Sequence, residues 1–434
     1  MPRFIPLCKQ SIIQLSRLQS SFLAICLCFS LSVVSHAEEK GAATLFKQYQ
    51  DRIFQIRIMD IVAEKKSGLG SGFLVSADGL IATNYHVVAK LVEKPSKYRL
   101  EYQDVEGKTQ KLTLVDIDVI NDLALVKAEV LDKKPMLFPE DHPTQGDTIY
   151  SIGNPFDIGF TVVPGTYNGI DEKTYYQRIH FSGSINPGMS GGPVLDKDGR
   201  VVGINVSSAG DQVSFLVPGS ALKILIEQVQ KREAPLIDFS QRIRQQLLDN
   251  QNKMISEFLA KEWPTQVLGE SQVLGEMKPF VKCWGGSSDD KELYKSVSTA
   301  CRSNESIYLN DRFSSGVISY QFFWLEVGEL NNSRFQSYYQ SLFRRFEPDN
   351  RAYEDDVGNY VCDERFVSDK KGGKDKLVFC ARAYQKYAGI YDALYLRGSV
   401  DQADKAFVSH FTLAGVDQQN MNAFLKRFME VVER

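Results

Sequence analysis

Residues 185–194 read INPGMSGGPV, a glycine-rich loop with Ser190 at its centre. Upstream of this loop, His86 lies in the segment TNYHVV at 83–88, and Asp122 begins the segment DLALV. The chain therefore supplies a histidine, an aspartate and a serine, in that order. These three segments decide how the amino-terminal half of the sequence is interpreted.

The three residue types can carry out nucleophilic catalysis together. A serine hydroxyl is a weak nucleophile at neutral pH and needs an adjacent base. Histidine can take up and return that proton, and a buried carboxylate fixes its tautomer. Glycines beside the serine let backbone N–H groups approach a developing oxyanion. Singly, His86 is typical of a core histidine, Asp122 of a turn cap and Ser190 of a turn, but their joint occurrence favours catalysis.

Short strand-like segments separated by turn signals fill residues 45–218, a pattern that predicts a β-barrel or a β-sandwich. The twelve candidates are 53–59, 70–76, 80–83, 99–103, 111–116, 123–129, 148–152, 161–167, 178–181, 194–196, 200–206 and 213–217. The DKDG sequence at 196–199 is interpreted as a hairpin turn, because it lacks the ligand pattern of a calcium loop. The GLGSGF sequence at 68–73 opens into a strand and not a helix, which argues against a dinucleotide site.

The chain resembles the trypsin-like, chymotrypsin-fold serine peptidases, specifically the HtrA/Deg branch, over about residues 45–230. The motifs that carry the resemblance are GSGF at 70–73, TNYHV at 83–87, DLALV at 122–126, IGNPF at 152–156 and NPGMSGGP at 186–193. The resemblance implies two six-stranded antiparallel β-barrels with the active site between them. It also implies that His86 is the base, Asp122 its orienting carboxylate and Ser190 the nucleophile. The backbone N–H groups of Gly188 and Ser190 would form the oxyanion hole.

Some features depart from the family or remain open within it. Met189 stands where this branch usually has Asn, which puts the geometry of the loop in question, and no PDZ-like pattern follows the protease region. By family position, Ser184 lies near the base of the specificity pocket, and Ile204, Asn205 and Val206 line a wall. Since Ser184 is neutral, we expect a small or medium aliphatic substrate residue before the scissile bond.

The amino terminus predicts export. Basic residues precede an apolar run at 22–34, and the small residues Ser35 and Ala37 follow it. This arrangement is typical of a secretory signal peptide, here 1–37. The apolar run is shorter than the roughly 20 residues that a spanning helix needs. We expect a periplasmic or secreted protein without a stable membrane anchor, and an uncleaved signal anchor is the alternative.

Four cysteines follow the predicted signal peptide, an even number that suggests two disulfides in an exported chain. They are Cys283, Cys301, Cys362 and Cys380. Equal spacings favour the local pairs 283–301 and 362–380, although four cysteines allow two other pairings. With the amphipathic segments 333–346 and 419–432, these spacings suggest an internal repeat, and chance spacing is the alternative. No CxxC pair or nearby histidine supports a metal site.

Length and charge bound the remaining possibilities. A chain of 434 residues suggests two or three domains. With 51 basic and 54 acidic residues, the net charge of −3 gives no footprint for nucleic acid or anionic lipid. We expect a mostly β chain with a protease domain at 42–230, a helical connector at 231–277 and an α+β carboxy-terminal domain at 278–434.

The resulting hypothesis is an exported serine endopeptidase that acts on protein or peptide substrates and needs no cofactor. The alternative is a catalytically silent trypsin-like fold whose carboxy-terminal domain binds a protein partner. A third interpretation, a cell-surface adhesion or structural protein, rests only on export. The physiological substrate and the oligomeric state stay open at this point.

Overall fold

A computed structural model describes residues 41–129, 133–210, 212–288, 293–368 and 372–434. The predicted signal peptide, 1–37, lies outside the described residues. Within the described ranges, no helix is both long enough and apolar enough to cross a membrane.

The first barrel is closed by six antiparallel strands in the order β1-β2-β3-β6-β5-β4. Its strands are β1 (Ile53–Asp60), β2 (Lys65–Leu74), β3 (Leu80–Thr83), β4 (Tyr98–Gln103), β5 (Thr109–Asp118) and β6 (Leu123–Ala128). Strand β2 is rich in glycine because its neighbours approach closely. A Cβ atom at Gly72 would lie 2.8 Å from the carbonyl oxygen of Ala82 on β3. Closure removes the exposed strand edges that an open sheet would leave.

The second barrel closes in the order β10-β11-β12-β9-β8-β7. Its strands are β7 (Thr148–Gly153), β8 (Thr161–Ile170), β9 (Ile179–Phe181), β10 (Pro193–Leu195), β11 (Val201–Ser208) and β12 (Ser214–Pro218). Buried Ile149, Ile179, Phe181 and Leu216 fill its interior. The predicted pair of six-stranded antiparallel barrels is therefore confirmed.

Six α-helices accompany the strands in the described part of the chain. They are α1 (Ala42–Tyr49), α2 (Tyr85–Glu93), α3 (Gly219–Gln230), α4 (Phe239–Leu259), α5 (Asn332–Phe343) and α6 (Gln418–Val431). Helix α4 is capped by Asp238, whose side chain accepts a hydrogen bond from the backbone N–H of Gln241. This contact satisfies one of the free donors at the start of a helix.

The predicted helical connector, 231–277, is only partly helical. After α4 the chain forms a two-stranded hairpin, β13 (Thr265–Leu268) and β14 (Ser271–Leu274). Gly269 adopts a positive φ of 61° between these strands, a conformation that glycine tolerates best. The description of the whole connector as helical was wrong for this half, because helical periodicity ends at Pro264 and a tight turn follows.

A seven-stranded antiparallel sheet forms the carboxy-terminal region, in the order β15-β16-β19-β23-β22-β21-β20. Its strands are β15 (Val281–Ser287), β16 (Tyr294–Ser303), β19 (Ile318–Val327), β20 (Val361–Ser368), β21 (Lys374–Ala383), β22 (Tyr391–Ser399) and β23 (Lys405–Val416). Helix α5 buries Phe335 and Tyr339 in one apolar cluster, and α6 buries Phe424 and Phe428 in another. A separate hairpin, β17 (Ile307–Asn310) and β18 (Phe313–Ser315), leaves the sheet.

Two disulfides join neighbouring strands at opposite edges of this sheet. Cys283 on β15 is bonded to Cys301 directly opposite on β16. Cys362 on β20 is bonded to Cys380 on β21 in the same way. These are the local pairs that the equal spacings favoured. The first half of the region supplies three strands and the second half four, so the internal repeat stays a prediction.

The first barrel and the carboxy-terminal region share one apolar core. This cluster contains Phe54 and Tyr85 from the barrel side, Ile243 from α4, and Leu309 and Phe313 from the β17–β18 hairpin. The predicted boundary at 231–277 therefore does not separate two independent cores. No local sequence pattern indicates this contact, because Tyr85 and Leu309, for example, are 224 positions apart.

Loss of one disulfide should weaken the sheet without unfolding it. Replacing both Cys283 and Cys301 with Ser should lower the free energy of unfolding by up to about 3 kcal/mol, since the bond closes a loop of 18 residues. Denaturant titration of the mature protein measures this change. Non-reducing peptide mapping should yield linked peptides only within 281–303 and within 361–383. A linked peptide between those two segments would contradict the pairing.

Candidate active site

His86 and Asp122 meet at the edge of the first barrel. His86 is the second residue of α2, and Asp122 lies in the turn between β5 and β6 with a φ of 59°. The Asp118 side chain shapes this turn by accepting hydrogen bonds from the N–H groups of Ile120 and Asn121, both at 3.0 Å. The side chains of His86 and Asp122 stay 28% and 14% exposed. The pair is therefore partly sheltered and still reachable from solvent.

Asp122 forms hydrogen bonds to the start of α2 through both its side chain and its backbone carbonyl. One carboxylate oxygen lies 2.7 Å from His86 Nδ1, and the other accepts the His86 backbone N–H at 2.9 Å. The Asp122 carbonyl oxygen accepts from Tyr85 N at 3.2 Å and from Asn84 Nδ2 at 2.8 Å. Because the carboxylate can only accept a hydrogen bond, the neutral imidazole carries its proton on Nδ1. Its Nε2 atom is then free to accept a proton.

The charge of the imidazole is stabilised in this setting. Burial lowers the pKa of His86, but the carboxylates of Asp122 and Asp311 raise it, and the net direction is upward. Asp122 acts through its charge and its hydrogen bond, and Asp311 through its charge alone. Asp311 belongs to the turn after β17, so the carboxy-terminal region influences the histidine electrostatically.

The loop before Ser190 presents an unpaired backbone donor at Gly188. The carbonyl oxygen of Pro187 accepts a hydrogen bond from Phe156 N at 2.8 Å. Since the C=O and N–H of a trans peptide point in opposite directions, the N–H of Gly188 points away from Phe156. A Cβ atom at Gly188 would lie 2.3 Å from Asn154 O, and its φ is +98°. Only glycine fits this position without strain.

The backbone N–H of Ser190 is unpaired in the same way. The carbonyl oxygen of Met189, which shares a peptide plane with that N–H, accepts from Gly192 N at 3.0 Å and Asn205 Nδ2 at 3.2 Å. Within the described ranges, the N–H groups of Gly188 and Ser190 have no hydrogen-bond partner. Two unpaired donors beside a serine are the arrangement that can stabilise an oxyanion.

Met189 fits the loop instead of disturbing it. Its side chain is fully buried in the apolar cluster of the second barrel. A Cβ atom at Gly153 would lie 2.7 Å from Met189 Cα, so the glycine of the IGNPF motif makes room for this residue. Met189, which stands where this branch usually has Asn, is therefore accommodated by apolar packing without a clash.

Ser71 ties the serine loop to the first barrel. Its hydroxyl donates to Gly188 O at 2.7 Å and accepts from Asn154 N at 3.0 Å, while its own N–H donates to Ser190 O at 2.7 Å. The GSGF motif by itself did not predict that Ser71 would bond to the serine loop. The position of Ser71 inside a motif shared with the family was the available signal.

The structure joins two of the three predicted triad side chains by a hydrogen bond. His86 and Asp122 are paired as described above. In the part of the chain that the structure describes, the Ser190 hydroxyl makes no hydrogen bond, to His86 or to any other group. Catalytic hydrogen bonds are often long before substrate binds, so this geometry does not by itself argue against the triad.

Two of the predicted pocket residues are placed in the interior. Ile204 and Asn205 are both fully buried, and the Asn205 amide is used by Ser151 Oγ, Ile152 O and Met189 O. Because both side chains are fully buried, their role in lining a substrate pocket stays a prediction. Ser184 is exposed, and the aliphatic preference inferred from it stays a prediction.

A cleft of about 660 Å³ opens beside His86 and Asp122. Val206 lines it, and so does the aromatic residue Tyr308 of the carboxy-terminal region. The Tyr308 and His86 rings are arranged edge to face, with 6.0 Å between their centroids. No sequence pattern had pointed to Tyr308. Within the described ranges, no group of three or more His, Cys, Asp and Glu side chains is placed to hold a metal ion.

Removing the Asp311 charge should lower the pKa of His86. The Asp311→Asn variant loses a carboxylate that favours the charged imidazole, and Asp122→Asn loses the negative charge of the direct hydrogen-bond partner. NMR titration of the His86 ring should show a lower midpoint in both variants. Asp355→Asn, an exposed carboxylate on the same region, serves as the control. An unchanged midpoint in Asp311→Asn, or an equal drop in the control, would contradict this account.

Comparison with known proteins supports the same interpretation of this region. Residues 70–204 match the trypsin-like peptidase domain. Serine protease HTRA1 of Xenopus laevis is 32% identical over 181 residues, which cover 39% of this chain and 38% of that protein. A probable periplasmic serine endoprotease DegP-like protein of Chlamydia pneumoniae is 35% identical over 176 residues, covering 38% of this chain and 35% of that protein.

The chain thus spans less than two fifths of the length of these relatives. The residues that match the family model, 70–204, lie in the two barrels and include the His86–Asp122 pair and the Ser190 loop. Residues 70–204 therefore belong to an HtrA-like, trypsin-fold serine peptidase domain.

Proposed function

We propose that this protein is an exported serine endopeptidase that cleaves peptide bonds through an acyl-enzyme. The observation that carries the proposal is the His86–Asp122 pair, held at 2.7 Å, in the same domain as two unpaired N–H groups at Gly188 and Ser190. This combination supplies a base with a fixed tautomer and donors for a developing negative charge.

In the first half of the proposed reaction, Ser190 Oγ attacks the carbonyl carbon of the scissile bond, and its proton passes to His86 Nε2. The oxyanion is stabilised by the N–H groups of Gly188 and Ser190, and Asp122 stabilises the imidazolium. When the tetrahedral intermediate collapses, the C–N bond breaks and His86 returns the proton to the leaving amine.

The second half of the reaction repeats the same steps with water. His86 accepts a proton from the water as its oxygen attacks the acyl-enzyme carbonyl, and the same two N–H groups hold the oxyanion. The bond to Ser190 Oγ then breaks, and His86 returns the proton to the serine. The carboxylic acid product leaves and the enzyme is restored.

Protein or peptide substrates are supported by the relatives and by the size of the site. The relatives bear the names serine protease and serine endoprotease. The cleft beside His86 has a volume of about 660 Å³ and is lined by residues from both barrels and from the carboxy-terminal region. A cleft of this size can hold several residues of a polypeptide.

Export is supported by three independent features. The sequence 1–37 has the pattern of a signal peptide. Two disulfides in the carboxy-terminal region suit an oxidising compartment. The Chlamydia relative is named as probably periplasmic. We therefore propose a periplasmic or secreted location.

A catalytically silent fold that binds a partner is the second candidate. The observation in its favour is the missing hydrogen bond between Ser190 and His86 in the described residues. The two candidates differ in the reactivity of Ser190. A fluorophosphonate probe should label the serine of an active peptidase and should not react with a silent fold.

Replacement of the nucleophile tests the peptidase directly. Ser190→Ala should lower the turnover of an unfolded protein substrate by a factor on the order of 10⁴ to 10⁶, because the covalent step is removed. Ser220→Ala, an exposed serine at the start of α3, should cleave at the wild-type rate. Circular dichroism confirms that both variants are folded. Wild-type turnover in Ser190→Ala would rule out the proposed mechanism.

A further inference from the structure

One side of the cleft beside His86 is built by the carboxy-terminal region. We define the wall segment as residues 304–311, which include β17. Four of its residues line the cleft, namely Asn304, Glu305, Ser306 and Tyr308. The remaining lining residues come from the two barrels. A substrate that occupies this cleft would therefore touch both regions of the chain.

The wall segment is fixed to the second barrel at its first end. One carboxylate oxygen of Glu305 accepts the backbone N–H of Tyr175 at 2.7 Å and that of Tyr176 at 3.2 Å. The Tyr176 hydroxyl in turn accepts a hydrogen bond from Asn250 Nδ2 on α4 at 2.8 Å. These contacts hold the segment against the connection between β8 and β9.

The other end of the wall segment is fixed to α2, the helix that carries His86. The hydroxyl of Tyr85 donates to the carbonyl oxygen of Leu309 at 2.9 Å. Lys90 Nζ on α2 lies 3.7 Å from a carboxylate oxygen of Asp311. Ile307 and Leu309 are buried with Tyr85 in the shared core. The wall is thus a permanent part of the cleft and not a lid over it.

Tyr308 lies between these two anchors and next to the histidine. Its hydroxyl donates to Asp311 Oδ1 at 2.7 Å, so the polar end of the side chain is already bonded. Its ring meets the rings of His86 and Tyr85 edge to face, at 6.0 Å and 6.3 Å between centroids. The part of the Tyr308 side chain that can contact a ligand in the cleft is therefore its ring.

The lining residues nearest in the chain to the catalytic pair are also apolar. Val119 and Ile120 precede Asp122 in the turn between β5 and β6, and both line the same cleft. The charged lining residues outside the catalytic pair lie on other segments, at Asp171, Arg178 and Glu305. Apolar and aromatic side chains thus line the part of the cleft formed by Val119, Ile120 and Tyr308, and the charged residues lie on other segments.

We propose that Tyr308 is a specificity-determining residue, which forms an apolar subsite beside His86 for one side chain of the polypeptide substrate close to the scissile bond. This inference rests on the proposed peptidase function. The preferred side chain at that position is aliphatic or aromatic, since the ring of Tyr308 and the side chains of Val119 and Ile120 offer it apolar surface to bury. The carboxy-terminal region is then part of the substrate site.

The test is a cleavage profile of the full-length mature protein on a peptide library varied at each position around the scissile bond. In Tyr308→Ala, kcat/KM for peptides with the preferred apolar side chain should fall about tenfold or more, as expected when a hydrophobic subsite is lost. The preference for apolar residues at that one position should flatten. The preferences at the other positions should persist.

Two further variants make the result specific to the ring. Tyr308→Phe keeps the ring and should restore the apolar preference, whereas Tyr308→Leu should shift it toward larger side chains because it leaves more room. Tyr353→Ala, a tyrosine of the same region that is 52% exposed and does not line the cleft, should keep the wild-type profile. If Tyr308→Ala does not fold, as judged by circular dichroism, the Leu variant decides the question.

The outcomes separate this inference from the function on which it rests. If the wild-type protein neither hydrolyses peptides nor reacts with a fluorophosphonate at Ser190, the peptidase proposal fails. If the wild-type protein is active and folded Tyr308→Ala or Tyr308→Leu keeps its full profile, the peptidase proposal stands. The assignment of Tyr308 is then overturned.

Discussion

The buried hydroxyl of Tyr85 donates a hydrogen bond to the carbonyl oxygen of Leu309, and this contact joins α2, the helix that carries His86, to the carboxy-terminal region. Tyr85 is only 1% exposed and immediately precedes His86. An unpaired hydroxyl at such a depth costs roughly 1–3 kcal/mol, so the helix needs its distant partner. The start of α2 is consequently held on one side by the Asp122 turn and on another by the β17–β18 hairpin.

This arrangement changes what the carboxy-terminal region does for the protein. The shared apolar core makes the hairpin a structural support of the first barrel, and the cleft makes it a boundary of the site. Asp311 adds an electrostatic link, since its carboxylate favours the charged form of His86. A single short hairpin therefore packs against α2, acts electrostatically on His86 and bounds the cleft beside it.

The barrels were predictable from the sequence because local signals specify them. Short β-branched and apolar runs bounded by Gly, Pro, Asn and Asp gave twelve strands, and twelve strands close the two barrels. The order of His86, Asp122 and Ser190 within shared motifs indicated which loops would meet. The loop glycine was predictable too, since the positive φ of Gly188 suits no other residue as well.

Long-range features were not predictable in the same way. The contact of Tyr308 with His86 joins positions 222 apart, and no local periodicity records such a pairing. The buried Asn205 amide is bonded to Ser151 and Ile152 on β7 and to Met189 of the serine loop, and no local sequence pattern records these contacts. The β13–β14 hairpin was missed because a helical connector was extended past Pro264, where the helix has already ended.

The β17–β18 hairpin holds α2 in place through the Tyr85 hydroxyl. Hydrogen–deuterium exchange of the Tyr85→Phe variant tests this contact most directly. Loss of one buried hydrogen bond should speed exchange on the order of tenfold in both α2 and residues 304–316. Exchange in the second barrel should stay at its wild-type rate, as should all exchange in the control variant Tyr353→Phe. Unchanged exchange in 304–316 alongside a faster α2, or no change in either segment, would contradict the claim.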